Sequence, residues 1–409
     1  MEKLAINGGT PLRQIPFPPR NPYGQEEIRE LTEAINTQNL FALSGKKVVG
    51  FEKRFAEKYN SQYAAACSSG TAALHLSVAA LDLDPGSEII TCPVTDFGTI
   101  AGLIFQGCIP IFADWKADTY NVDPDDIERK ITEKTKAIIV VQLFGNPCDM
   151  DRIVAIARKH HLPLIEDCCQ AYFTYYKDKL VGTFGDIGCF SMQQSKHLCS
   201  GEGGICITNN EKYAMRMCLF RDKGWENRGK WGPRAYSFLG LNYRMNELTG
   251  AVCLAQLKKA EFAAKRRHEL GMLLNDQIKD VPGIKLAPVG SHGYHTFWAY
   301  AFKVFGYDAE LFTKALTAEG VPASFGYTGK PIYLCTEALT KKKTFGNSGY
   351  PFNSPYYGKT IEYKEGLCPV AEKELTQIVA VGLHEYWSER DIQDVAAAIR
   401  KVAGGLGRK

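Results

Sequence analysis

From residue 60 to about 208, short and nearly unbroken apolar runs alternate with segments whose apolar residues recur every three or four positions. Seven runs read as strands: QYAAACSS (62–69), SEIITC (87–92), IPIFAD (109–114), KAIIVVQLF (136–144), LPLIEDC (162–168), IGCFSM (187–192) and GGICIT (203–208). Several are apolar at successive positions, as in strands covered on both faces. The segments GTAALHLSVAAL (70–81), FGTIAGLIFQG (97–107) and DMDRIVAIARKHH (149–161) carry helical spacing. The last opens on acidic residues and closes on basic ones, as the helix dipole favours. This order predicts an α/β domain built on a mostly parallel, seven-stranded sheet.

After residue 210 the spacing turns helical, in EKYAMRMCLFRDKG (211–224) and the long run RMNELTGAVCLAQLKKAEFAAKRRHELGMLLNDQI (244–278). An aromatic strand, TFWAYAFKVF (296–305), a helix, DAELFTKALTAEG (308–320), and a last helix, SERDIQDVAAAIRKVAGG (388–405), follow, with Ser388 placed as N-cap. At 409 residues the chain exceeds what one core usually holds. The expected division is a large domain over 1–264, with an N-terminal arm over 1–25, and a smaller C-terminal α+β domain over 265–409.

Composition narrows the classes. With 45% hydrophobic and 23% charged residues the chain is neither disordered nor fibrous. A net charge of +4 without blocks of like charge argues against a nucleic-acid surface, while leaving room for an acidic or phosphorylated ligand. No apolar run is long enough to span a membrane, and the start MEKLAINGGTPLRQIPFPP lacks the basic and apolar parts of a signal peptide. A cytoplasmic protein is expected. The 13 cysteines form no C-x-x-C pair. Cys67, Cys92, Cys108, Cys168, Cys169, Cys189, Cys206 and Cys253 lie in or beside apolar runs, where a reduced cysteine acts as a small hydrophobe, so no metal site is expected.

Open α/β sheets bind ligands outside the carboxyl ends of their strands, which directs attention to the polar residues there. Ser68, Gly70 and Thr71 follow the first strand and open a helix, so they form either a phosphate cup or an ordinary capped turn. LPLIEDC delivers Glu166 and Asp167, of which strand alternation sends only one to the site; a helix N-cap is the alternative role. Lys196 lies between an apolar strand and the glycines at 201, 203 and 204, on a tight turn rather than a solvated helix face. A lysine that loses its proton there is the nucleophile that forms Schiff bases. With the aromatic Phe97, these groups match an aldehyde cofactor carrying a phosphate, a basic ring nitrogen and a flat ring, namely pyridoxal 5′-phosphate. The patterns G-x-G-x-x-G, G-x-x-x-x-G-K-[ST] and H-E-x-x-H are absent.

The motifs NGGTPLR (7–13), CSSGTAALHL (67–76), EDCCQA (166–171), CFSMQQSKHLCSGEGG (189–204), GLNYRMNELTGA (240–251) and CPVAEK (368–373) occur in the order seen in a known family. The chain resembles the DegT/DnrJ/EryC1/StrS sugar and cyclitol aminotransferases, pyridoxal-phosphate enzymes of fold type I, the architecture of aspartate aminotransferase. By that resemblance Lys196 would hold the cofactor covalently, Asp167 would bind its ring nitrogen, Gln170 its hydroxyl and Phe97 its ring face. Gly70, Thr71 and Ser191 would hold the phosphate, and Asn242 would reach the phosphate of a neighbouring subunit, implying a homodimer with shared sites.

The resemblance further implies transfer of an amino group from L-glutamine or L-glutamate to a keto-cyclitol or keto-sugar, scyllo-inosose-type acceptors being favoured. A nucleotide-linked keto-sugar as acceptor, or a dehydratase on the same fold, are the alternatives. Asp96 stands where many relatives carry threonine and Lys223 where histidine is common; the two either line the acceptor pocket or pair with each other. FGYTGKPIYL (325–334) also departs from the family's usual stretch. Gln194 and Tyr327 are further substrate candidates, and Tyr333 and His295 are candidates for the same pocket, although aromatic residues at strand spacing, Tyr327 included, are more often core.

Overall fold

The computed structural model describes residues 2–226, 233–290 and 292–407. All seven apolar runs form strands of one sheet: β1 (Tyr63–Cys67), β2 (Glu88–Thr91), β3 (Ile109–Phe112), β4 (Thr135–Val141), β5 (Leu164–Asp167), β6 (Ile187–Ser191) and β7 (Gly204–Thr208). Their order across the sheet is β1-β7-β6-β5-β4-β2-β3. Neighbours from β6 to β3 run parallel, and β7 lies antiparallel to both β1 and β6. Strands β2, β5, β6 and β7 are buried at every position, which explains their unbroken apolar runs.

Helix α1 (Gly70–Ala80) follows β1 and is buried almost all round, and α2 (Gly98–Phe105) follows β2. The long helix α3 (Glu247–Ile278) links two apolar cores. Cys253, Leu257 and Ala264 belong to the core around the seven-stranded sheet, whereas Leu270, Leu274 and Ile278 belong to a second. The division expected after residue 264 thus falls inside one continuous helix. A four-stranded antiparallel sheet, ordered Ile284–Lys285, Tyr300–Val304, Ile378–Val381, Ala323–Phe325, carries the second core. Leu4 of the N-terminal arm packs into that core too.

Two differences from the sequence reading have physical causes. The aromatic strand begins at Tyr300 rather than Thr296, because Thr296 and Trp298 donate their N–H groups to Gly145 and Phe144 of the large domain. The stretch from Ile332 to Leu375, C-terminal in sequence, packs on the large core through Tyr333, Phe352, Tyr357 and Tyr363. No helix among the described residues is long and apolar enough to cross a membrane.

Candidate active site

At the carboxyl ends of β1, β4, β5 and β6 lies a cavity of about 420 Å³, lined by Gly70, Thr71, Asp167, Gln170, Ser191 and Lys196. The sheet brings these together by register: Val141 pairs with Asp167, and Asp167 with Cys189 two residues before Ser191.

Lys196 stands on a loop that leaves β6 and returns as β7. The loop is closed by hydrogen bonds from Met192 N–H to Gly203 O (2.8 Å), Gln194 N–H to Gly201 O (3.1 Å) and Lys196 N–H to Gln193 O (2.9 Å). Gly201 and Gly203 take positive φ of 82° and 149° there, which side chains disfavour. Burial holds the Lys196 amine below its ordinary range, against the opposing pull of Cys169, Asp167 and Asp96. Its Nζ lies 4.2 Å from the centroid of the Trp298 ring. The Trp298 indole N–H in turn donates to the carbonyl of Ser195 at 3.1 Å. A desolvated amine against an aromatic face is a ready nucleophile.

Strand alternation separates the two acids of β5. Glu166 turns to the other face, where it accepts the N–H groups of Gly182, Phe184 and Gly185 at 2.7–2.8 Å and fixes the turn before β6. Asp167 faces the cavity, accepting the Thr99 hydroxyl (2.7 Å) and the Cys169 N–H (3.1 Å). Thr99 is oriented by Thr95, 2.6 Å away. Burial raises the Asp167 carboxyl above its usual range despite these donors and the nearby Lys196. Such a carboxylate is stabilised by any cation brought against it.

The opposite wall is the start of α1. The Ser69 side chain caps the helix by accepting the Ala72 N–H at 3.0 Å. The N–H groups of Gly70 and Thr71 have no acceptor inside the helix and lie at its positive end, an arrangement that suits an anion. A Cβ on Gly70 would sit 2.6 Å from Ser191 Cβ and 2.9 Å from its Oγ, and one on Gly98 would sit 2.6 Å from Thr71 Oγ1. Both glycines keep side chains out of this cup.

Around that core, Gln170 donates from Nε2 to the Tyr327 hydroxyl (2.9 Å), while its Oε1 accepts the Phe144 N–H (2.9 Å). Tyr327 lines the cavity edge-on to Phe144 and Trp298, and Asp96 lines it while accepting the Gly98 N–H at 2.8 Å. Phe97 lies between the lining residues Asp96 and Gly98 but does not line the cavity. Gln194 points away, accepting the Tyr23 hydroxyl at 2.5 Å, and Gln193 lines the cavity in its place.

Lys223 pairs with its neighbour Asp222, so neither the Asp96 pair nor a place in the cavity of its own chain is realised. Asn242 is exposed and bridges to Asp222 outside the cavity. Ser68 is exposed, and Ser69 takes the cap position instead. Tyr333 and His295 are buried away from the cavity, bonded to Glu372 and to the Phe297 N–H. Thr99 and Trp298 line the cavity without having been read from the sequence, since a threonine inside a helix and a tryptophan in an aromatic run carry no motif, and Cys169, read there as a small core hydrophobe, lines it as well.

The residues present fit pyridoxal phosphate. A cup of N–H groups kept open by Gly70 suits its phosphate, a buried carboxylate suits its protonated ring nitrogen, and a lysine amine held below its ordinary range by burial suits its aldehyde.

Comparison with known proteins agrees with this geometry. The profile of the DegT/DnrJ/EryC1/StrS aminotransferase family matches residues 22–400. The L-glutamine:2-deoxy-scyllo-inosose aminotransferase of Streptomyces kanamyceticus is 32% identical, covering 98% of this chain and 96% of the relative. A GDP-perosamine synthase of Escherichia coli O157:H7 is 38% identical over 62% of this chain and 68% of its own. The crystal structure of an aminotransferase from Psychrobacter cryohalolentis superposes with a TM-score of 0.84 at 28% identity, covering 96% of this chain and all of that one. The chain therefore belongs to the DegT/DnrJ/EryC1/StrS family, and is a pyridoxal-phosphate-dependent aminotransferase of fold type I.

Proposed function

We propose that this aminotransferase moves the amino group of L-glutamine or L-glutamate to a keto-cyclitol or keto-sugar, with an acceptor of the scyllo-inosose type favoured. The observation that carries the reading of the site is the convergence of Lys196, Asp167 and the Gly70–Thr71 turn on one cavity. Near full-length similarity to the aminotransferase of S. kanamyceticus supports the cyclitol acceptor. The 38% identity to a GDP-perosamine synthase, over a shorter span, favours the second reading, a nucleotide-linked keto-sugar.

Pyridoxal phosphate, when bound, supplies an aldehyde for the amine and a ring that accepts the electrons released at the substrate α-carbon. Lys196, whose amine burial holds below its ordinary range, would hold the cofactor through Nζ and, when free, would carry the proton at that α-carbon. Asp167 would hold a proton on the ring nitrogen through its charge, with Thr99 and the Cys169 N–H aiming its carboxylate. Gly70 and Thr71 N–H groups with the Ser191 hydroxyl would bind the phosphate and Gln170 would orient the ring hydroxyl, whereas Phe97, which does not line the cavity, would have to turn inward to cover the ring face. Asp96 and Tyr327 line the acceptor side, with Tyr327 fixed by Gln170.

The active unit is proposed to be a cytoplasmic homodimer in which Asn242 reaches the partner's cofactor phosphate, with Lys223 and Gln194 near the shared mouth. Its exposure outside its own cavity supports this, as do the exposed Leu239, Leu241 and Phe41, the last lying 5.3 Å under the guanidinium of Arg244.

The test is a visible spectrum of the protein with pyridoxal phosphate, before and after L-glutamine and then scyllo-inosose, beside Lys196→Ala. A band present only with Lys196, collapsing with glutamine and returning with the inosose, is expected. Collapse without return moves the acceptor to another keto-sugar, and a band indifferent to Lys196 overturns its role.

A further inference from the structure

We propose that Glu385, gripped between Arg20 and Arg267, is a positioning residue that locks the Lys196 loop to the small domain and the N-terminal arm. The inference rests on the reading of Lys196 as the cofactor-bearing residue. Glu385 lies just beyond the strand Ile378–Val381, with a side chain 4% exposed. Its Oε1 accepts Arg20 Nε at 2.9 Å and its Oε2 accepts Arg267 Nε at 2.8 Å. Each arginine then reaches toward the lysine by a different route. Arg20 donates to the carbonyls of Gln194 (2.8 Å) and His197 (3.3 Å), which bracket Lys196 in the chain. Arg267, buried in the middle of α3, donates to the carbonyl of Trp298 at 3.4 Å. The ring of Trp298 is the one against the Lys196 amine.

None of the three charged side chains lines the cavity, so they are not a substrate site. A buried Arg–Glu–Arg array is also poorly explained by stability, because apolar residues of similar volume usually serve as well. What it does supply is alignment: one carboxylate joins segments near residues 20, 267 and 385 and fixes both the backbone and the aromatic cover of one lysine.

The charges facing that amine are Asp167, Asp96, Cys169 and Arg267, and those facing Glu385 are Arg267 and Arg20, with His197 and His384 held below the usual imidazole range by burial and the Tyr386 hydroxyl held above its own by burial. The array carries one net positive charge, and the two substitutions that break it change this charge in opposite directions. In Glu385→Gln the second uncompensated guanidinium disfavours the protonated form of the lysine–cofactor linkage. In Arg20→Gln the lost cation favours it.

The experiment titrates the visible band of the holoenzyme with pH and measures kcat and KM for the donor. Glu385→Gln is expected to move the midpoint down and Arg20→Gln to move it up, each by about half a pH unit. In both, kcat falls about tenfold as the lysine loses its register, with donor KM changed far less. Glu385→Asp is expected to recover most of the wild-type midpoint. Midpoints that stay put or move the same way, with unchanged kcat, overturn the clamp. Should Glu385→Gln not fold, Arg20→Gln and Glu385→Asp decide by the same criteria. A wild-type band that does not require Lys196 would instead overturn the role of the lysine itself.

Discussion

At the scale of single residues, the site depends on small groups that leave space or supply one hydrogen bond. Thr99 gives its hydroxyl to Asp167 inside a buried environment, where a bond to a charged acceptor is worth about 1.5–3 kcal/mol. Thr99→Val keeps the shape and removes the donor. Pyridoxal phosphate affinity is expected to fall at least about tenfold, read from titration of the visible band. Gly70→Ala puts a methyl where Ser191 already stands, 2.6 Å from its Cβ. The expected result is loss of phosphate and cofactor binding with an unchanged circular dichroism spectrum; full retention of binding would mean that the cup lies elsewhere. Gly70 directly follows an apolar run, Asp167 stands near the end of one, and Lys196 lies between one and the glycines at 201, 203 and 204, so all three are visible in the sequence. Thr99 is not, since its partner is 68 positions away and nothing local distinguishes it from any helical threonine.

At the scale of elements, the seven strands are legible because burial on both faces leaves unbroken apolar runs. Two helices, Gln25–Asn36 and Lys47–Lys58, are missing from the sequence reading although apolar residues recur at helical spacing in both, Ile28, Leu31 and Ile35 in the first and Val48, Phe51 and Phe55 in the second; the first uses that stripe in an unusual way. Its buried side presents Glu27 and Glu30, neutralised by Lys259 and Lys47, while Ile28 and Ile35 face outward. Ion pairs thus hold the inward side, and the apolar stripe that periodicity detects lies on the outer one. The second helix is held through another long-range pairing. Glu247, the first residue of α3, accepts the N–H groups of Lys47 (2.7 Å) and Val48 (2.9 Å), so one helix start caps another. Glu247→Ala leaves both donors without a partner and a void beside Gly45. A loss of about 1–3 kcal/mol is expected, measured as a lower urea midpoint, with cofactor affinity retained.

At the scale of the molecule, charge joins the parts that apolar packing leaves separate. Although burial opposes it, Arg267 and Arg20 hold the Glu385 carboxyl down from its ordinary 4.5 to about 2. Because the folded value is depressed, its contribution is complete above about pH 4.5 and is lost as pH falls toward 2. The shift corresponds to roughly 3 kcal/mol. Glu166 and Asp167, raised by burial, act with the opposite sign and disfavour the folded state less as pH falls toward their ordinary values. Urea midpoints recorded through this window should therefore fall steeply for the wild type and more gently for Glu385→Gln. The proposed dimer is tested by mixing two inactive variants. In Lys196→Ala each site lacks its lysine, and in Asn242→Ala each lacks the residue given by the partner. When subunits exchange freely, half of the dimers are mixed, and one site in each combines a lysine from one chain with an asparagine from the other. Activity of the mixture is thus expected to reach about a quarter of wild type, where neither variant alone approaches it. An additive, near-zero result from subunits shown to exchange would place Asn242 outside the partner's site and leave each chain's cavity complete by itself.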